Sequence, residues 1–145
     1  MLVLQLITYN SKEYNESLEL RNKIMREPLG FNLFDEDLGY EKDAIMVCAY
    51  DNHTMIGVGV MTHDNDLYKV ECLCVDFDLQ KTGVGSKILA YLEEYAKSHG
   101  GKEMSLEARV TAEKFYIKHH YIGSGDTYLH DHAPVPHIAM KKKLV

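Results

Sequence analysis

Apolar and polar residues alternate along Leu2 to Thr8, a period of two that predicts an opening strand. The period then lengthens. A helix entered through Asn10 or Ser11 carries Tyr14, Leu18 and Met25 on one stripe, and Pro28 and Gly30 stop it. From Phe31 to Lys42 the chain scatters Phe31, Leu33, Phe34, Leu38 and Tyr40 among acids and asparagine, the pattern of a partly ordered loop or short helix. Strands follow at Ala44 to Tyr50 and Thr54 to Thr62, joined by a tight turn at Asp51-Asn52-His53, and a third meander strand runs from about Leu67 to Val75. Val84, Ile88, Tyr91, Leu92, Tyr95 and His99 recur at helical spacing until Gly100-Gly101 ends the run. Met104 to Ala108 is again a strand. A short helix then puts Ala112, Phe115, Tyr116 and His119 on one face, before a closing hairpin of Tyr121 to Leu129 and Val135 to Leu144. Strands and helices mixed in this order predict an α/β fold around a central mixed sheet.

Composition narrows this to one domain, 1–145, because 145 residues with 46% apolar content suit a single ordinary core. No apolar run approaches the roughly 20 residues a membrane helix requires, and the N-terminus lacks a signal-peptide pattern. The expectation is a cytoplasmic protein that engages no membrane. A net charge of −6 speaks against nucleic acid, whose phosphates demand clustered Lys and Arg, and suits an amine substrate better. Lys141-Lys142-Lys143 is the one basic run, read as a solvated edge or tail. Cys48, Cys72 and Cys74 are read as small packing residues: Cys72 and Cys74 point the same way along one strand, where a disulfide fits poorly, and no second pair completes a zinc site. His119, His120, His130 and His132 with Asp126 and Asp131 lack a repeated ligand spacing, so no metal is expected.

Candidate chemistry centres on Gln80-Lys81-Thr82-Gly83-Val84-Gly85-Ser86, between an apolar strand and a helix. Two glycines let the backbone approach an anion, and the free amides of the helix's first turn point at it with the positive end of the dipole. A P-loop would need lysine where Ser86 stands, and a dinucleotide fingerprint a third Gly or Ala where Ile88 stands. The plainer alternative is that Gly83 only lets a strand turn into a helix.

Gln80 through Gly85 resembles the Gln/Arg-x-x-Gly-x-Gly/Ala signature of the GNAT superfamily of N-acetyltransferases. Glu71-Cys72-Leu73-Cys74-Val75 resembles the strand before that loop, and Gly83 to His99 its helix. Leu106-Glu107-Ala108-Arg109 with Ala112 and Phe115-Tyr116 is similar to the second family block, and Pro136-His137-Ile138-Ala139-Met140 to the closing strand of many small bacterial members. Leu20 to Gly30 resembles a common first helix and its exit. Two positions depart from the pattern: Val110 and Thr111 stand where many members carry asparagine, and His120 stands in place of a glycine.

The resemblance implies a twisted, mostly antiparallel mixed sheet flanked by helices. It also implies acetyl-CoA as acetyl donor, cradled by Leu73, Cys74, Val75, Gln80, Lys81, Thr82, Gly83, Val84, Gly85, Ser86 and Phe115. The acceptor would be a small-molecule or peptide amine. Amine attack on a thioester asks for a base, donors at the oxygen that gains charge, and an acid for the leaving thiolate. Main-chain amides at Leu73 or Val75 fill the second role. Tyr116 matches the family's acid, a phenol neutral at pH 7, with Phe115 packing beside it. Glu71 and His137 compete as base; strand alternation sets Glu71 opposite to Cys72, whereas His137 offers a neutral imidazole. The resemblance further implies direct transfer without a covalent enzyme intermediate and pairing as a homodimer. A member that only holds acyl-CoA as a binding or sensing module is the alternative to an enzyme.

Overall fold

The computed structural model describes residues 1–80 and 82–144. Its elements follow the hydrophobic periods closely: strands β1 (Leu2–Ile7), β2 (Ile45–Asp51), β3 (Thr54–Asp64) and β4 (Leu67–Val75), then β5 (Glu103–Arg109), β6 (Ile122–Leu129) and β7 (Pro136–Lys143). Helices α1 (Lys12–Met25), α2 (Val84–Ser98) and α3 (Glu113–Lys118) complete the fold. One seven-stranded sheet runs in the order β1-β2-β3-β4-β5-β7-β6. All pairings are antiparallel except β4 with β5. The C-terminal lysines belong to β7, where Lys142 binds Glu93 at 2.9 Å and lies over the Tyr121 ring.

Thr8 falls outside β1 because its carbonyl accepts from the Ser11 amide and hydroxyl, closing a turn. Ser11 in turn accepts from the Tyr14 amide and caps α1. The buried stripe of α1 runs through Tyr14, Leu18, Arg21 and Ile24, with Met25 at its edge. Arg21 is there because Glu41 answers it. Its guanidinium bonds both carboxylate oxygens at 2.9 and 2.7 Å, Tyr14 adds a third bond at 2.8 Å, and the pair is almost wholly buried. This ties the segment after α1 down on the helix. That segment forms short 3₁₀ turns, with Leu33 buried and Phe31, Phe34 and Tyr40 exposed.

The sheet separates two apolar layers. On one side Ile88, Leu89, Leu92 and Ala96 of α2 pack over Met61, Met104, Leu106 and Met140. On the other, Tyr14, Leu18 and Ile24 of α1 cover Cys48, Val58, Val60 and Cys74. Tyr91 and Tyr95 pack at the edge of this layer as their spacing predicts, Leu89 and Ala96 join its centre, and His99 is exposed. The seat of α2 on β3 is set by two glycines. A Cβ on Gly59 would lie 2.6 Å from Ile88 and 3.0 Å from Leu92, and one on Gly57 would lie 2.8 Å from Ile88.

We expect Gly59→Ala to push α2 off the sheet and cost about 1–3 kcal/mol, the usual scale of overpacking. Urea unfolding would read this as a lower midpoint at unchanged slope. An unchanged midpoint would show that this contact does not set the helix's seat.

Candidate active site

The site begins where two strands part. β4 and β5 pair in parallel from Leu67 with Glu103 to Val70 with Leu106, and there the pairing stops. β4 continues on β3, with Leu73 opposite Gly59 and Val75 opposite Gly57. The Asp76 amide donates to Ile56 of β3 at 2.8 Å, so by strand alternation the Val75 and Leu73 main chains face the gap that β5 has left. Gln80 fills part of it, donating its amide to the Val75 carbonyl at 3.1 Å. Gln80 thereby holds the loop to the strand end.

A bulge at the same point rearranges β4. Val60 stands opposite Cys72 and Met61 opposite Val70, leaving Glu71 as the extra residue. Tyr68 and Val70 face α2, and past the bulge Leu73 and Val75 pack toward α2 as well. Cys72 and Cys74 turn toward α1. Lys69 and Glu71 already lie on that side. The expectation that Glu71 and Cys72 occupy opposite faces is therefore corrected, because the bulge breaks simple alternation between them.

The parted strands open a cleft of about 1220 Å³ that runs through the sheet from the α2 side to the α1 side. At one end lies the glycine loop. Gly83 adopts φ +91°, which glycine tolerates freely, and starts α2, so the amides of the first turn are free of helical partners. Gly83, Gly85, Ser86, Thr82 and Gln80 line the cleft with Leu73, Cys74 and Val75. Val84 does not: its side chain is buried in the core and only its backbone can serve a ligand. Thr82 closes on the Leu79 carbonyl, and Ser86 bonds His119 at 2.9 Å. Lys81 lies outside the described residues.

Phe115 and Tyr116 form the wall opposite, packed edge to face. Tyr116 is the more buried and stacks edgewise on Tyr121, whereas Phe115 leans on His119 beside Gly85. Tyr116 still reaches the cleft, close enough to Cys72 and Cys74 for their charge to act on it; burial first, then those thiols, push its hydroxyl's pKa well above the phenol range. A proton on Tyr116 is thus held firmly at neutral pH.

The α1 side of the cleft is polar. Its floor comes from alternate residues of three strands: Lys69 and Glu71 on β4, Glu107 and Arg109 on β5, and His137 on β7. Arg26 at the end of α1 grips Glu36 through Nε at 2.6 Å and Nη2 at 3.2 Å and forms the rim with Tyr40. Glu71 accepts from Thr62 at 2.7 Å and pairs with Lys69 at 3.6 Å. Glu107 accepts from Tyr128 at 2.9 Å, meets His130 at 3.1 Å and lies 3.7 Å from Lys69; burial resists its charge, but these partners together hold its carboxyl below the usual range. His137 is 5% exposed. Its Nδ1 donates to the Val135 carbonyl at 2.7 Å, which leaves the Nε2 lone pair free, and burial above all lowers its pKa. Glu107 and Arg109, given no role from sequence, follow from the alternation Leu106-Glu107-Ala108-Arg109, which marks one polar face of β5, while His130 and His132, weighed above as metal ligands, stand here as side chains lining the cleft. Among the described residues no His, Cys, Asp and Glu group is arranged to hold a metal.

The profile of the acetyltransferase (GNAT) domain matches residues 13–144. The chain belongs to this family and is an acetyltransferase with the GNAT fold. It is 25% identical over 135 residues to the uncharacterized protein YyaT of Bacillus subtilis, covering 91% of this chain and 90% of that one. It is 30% identical over 107 residues to streptothricin acetyltransferase A of the same organism, covering 69% of this chain and 62% of that protein. An aminoglycoside 6'-N-acetyltransferase solved with coenzyme A superposes with a TM-score of 0.77 at 17% identity, over 99% of this chain and 97% of that one. Members of the family use acetyl-CoA as donor and act on amines.

Gly83→Asp places a side chain at positive φ and a negative charge at the mouth of α2. We expect it to abolish acetyl-CoA binding by calorimetry while circular dichroism remains unchanged. Retained affinity would remove this loop from the donor site.

Proposed function

We propose that this chain moves the acetyl group of acetyl-CoA to a primary amine by direct attack, with both substrates bound in the cleft. The observation that carries this reading is the parting of β4 from β5 beyond Val70 and Leu106, with the first turn of α2 at one end of the gap and a polar floor at the other. The residues present fit the donor. Free amides of the α2 first turn and the glycine backbone suit a pyrophosphate, and the unpaired main-chain edge at Leu73 and Val75 suits an amide-bearing arm. Bound there, acetyl-CoA supplies an acetyl thioester and a thiolate leaving group.

The chain's own groups then divide the work. The amides of Leu73 and Val75 are donors for the carbonyl oxygen as it gains charge, pre-oriented because β3 holds the strand from behind. Tyr116 keeps its proton at neutral pH and delivers it to the departing sulfur. His137 takes the amine's proton at Nε2, its tautomer set by the Val135 carbonyl. Glu71 is less suited to that role, since Thr62 and Lys69 already occupy its two oxygens. It serves instead to hold Lys69 and the bulge in place.

Two measurements test these roles. Tyr116→Phe should lower kcat by roughly a hundredfold or more with acetyl-CoA affinity nearly unchanged, the scale of losing a general acid. Unchanged turnover would discharge Tyr116 from the reaction. His137 must be neutral to act, and burial above all lowers its pKa from the ordinary imidazole value. The acid limb of kcat/KM should therefore lie on the acid side of an ordinary imidazole's, and His137→Gln should erase the limb along with most of the rate. If Glu71→Gln abolishes the limb and His137→Gln leaves it, the base is Glu71.

A further inference from the structure

The floor of the cleft answers its charges in pairs. Glu36 meets Arg26, Glu71 meets Lys69, and Glu107 meets Lys69 and His130. Arg109 stands apart. Among the described residues its guanidinium makes one hydrogen bond, from Nη2 to the Met25 carbonyl at 2.9 Å, and its Nε is buried with no partner. No carboxylate of the described residues lies within ion-pair distance. Glu107, on the same face of β5, is committed elsewhere, and burial first, then the neighbouring cation Arg26, works against the charge on Arg109.

A half-buried guanidinium without a carboxylate is costly, and an orphaned donor costs more than a made hydrogen bond returns. Arg109 nevertheless lines the cleft directly opposite His137 in the β5–β7 register, on the acceptor side of Cys72. A planar fork at that place matches a carboxylate better than any other common group.

We propose that Arg109 receives a carboxylate of the acceptor, so that the acceptor is a small amine of the amino-acid class, its carboxylate on Arg109 and its nitrogen beside His137. This rests on the acetyl-transfer reading and narrows its substrate. The overall negative charge draws the cationic end of such a molecule toward the cleft, and Arg109 orients the other end. The donor's phosphates are placed at the far end of the cleft, by the first turn of α2, and do not compete for it.

The experiment compares amino acids with their decarboxylated counterparts, lysine with cadaverine and phenylalanine with phenethylamine, in wild type, Arg109→Ala and Arg109→Lys. Charge-assisted contacts predict a kcat/KM preference for at least one amino acid of about tenfold or more, expressed mainly in KM. Arg109→Ala should erase that preference and leave acetyl-CoA affinity unchanged, and Arg109→Lys should restore part of it. A parallel arm needs no turnover: the Nε–H resonance of Arg109, assigned through the Lys variant, is followed on adding N-acetyl-lysine, N-acetylcadaverine or inorganic phosphate. A shift with the carboxylate compound alone supports the assignment. If acetyl-CoA does not bind yet that shift occurs, the acetyl-transfer reading fails and the carboxylate site stands. Equal rates within both pairs, a silent resonance, or an equal response to phosphate as an adventitious ion only, would each overturn it.

Discussion

The site depends on one strand that has a partner on only one side. β4 is held by β3 along its length, but β5 leaves it after Val70, and the hydrogen-bonding edge beyond is left without a strand. Unpaired backbone groups inside a protein are costly unless something satisfies them. Here the cost is met locally by Gln80 at the Val75 carbonyl, and the remaining edge faces a cleft able to take a ligand's amides. Because β3 fixes β4 from behind, those groups are aimed before any ligand arrives.

That rigidity rests on packing at a distance. α2 sits so close to β3 that only glycine fits at Gly57 and Gly59, and the approach fixes where the helix starts. The free amides of its first turn thereby come to the mouth of the gap. On the other side, the buried Arg21, Glu41 and Tyr14 network clamps the segment after α1 onto the helix. A buried ion pair adds little net stability, but it has one low-energy arrangement, and that arrangement puts Arg26, Glu36 and Tyr40 along the rim. The two ends of the cleft are thus set by opposite layers of the same sheet.

Polarity within the cleft follows from the same division. Leu106, Ala108 and Met140 bury one face of the sheet against α2, so Glu107, Arg109 and His137 must point the other way, toward the end of α1, where Arg109 reaches the Met25 carbonyl. Burial then acts on each group separately. It keeps a proton on Tyr116 and keeps one off His137, so a protonated phenol and a neutral imidazole line one cavity at neutral pH.

The order of strands and helices was legible in the sequence because alternation and helical spacing report directly which face of each element is buried. The glycine loop was legible too, since Gly83 needs a positive φ that few other residues accept, and a short loop between a strand and a helix carries its chemistry locally. Val84 shows the limit: its neighbours mark a donor loop, yet its side chain belongs to the core because the helix turns it inward. The bulge at Glu71 was not legible, since one extra residue in β4 arises from its pairing with β3 and has no mark in a run of Glu, Cys and Leu. For the same reason the polar floor was only partly legible: His137 stood out as a candidate base, but Glu107, Arg109 and His130 share its cavity through two strands and a loop that meet only when β7 inserts between β5 and β6. Local pattern determines what each segment becomes, and long-range strand pairing decides which side chains share a cavity, because register is set between segments rather than within them.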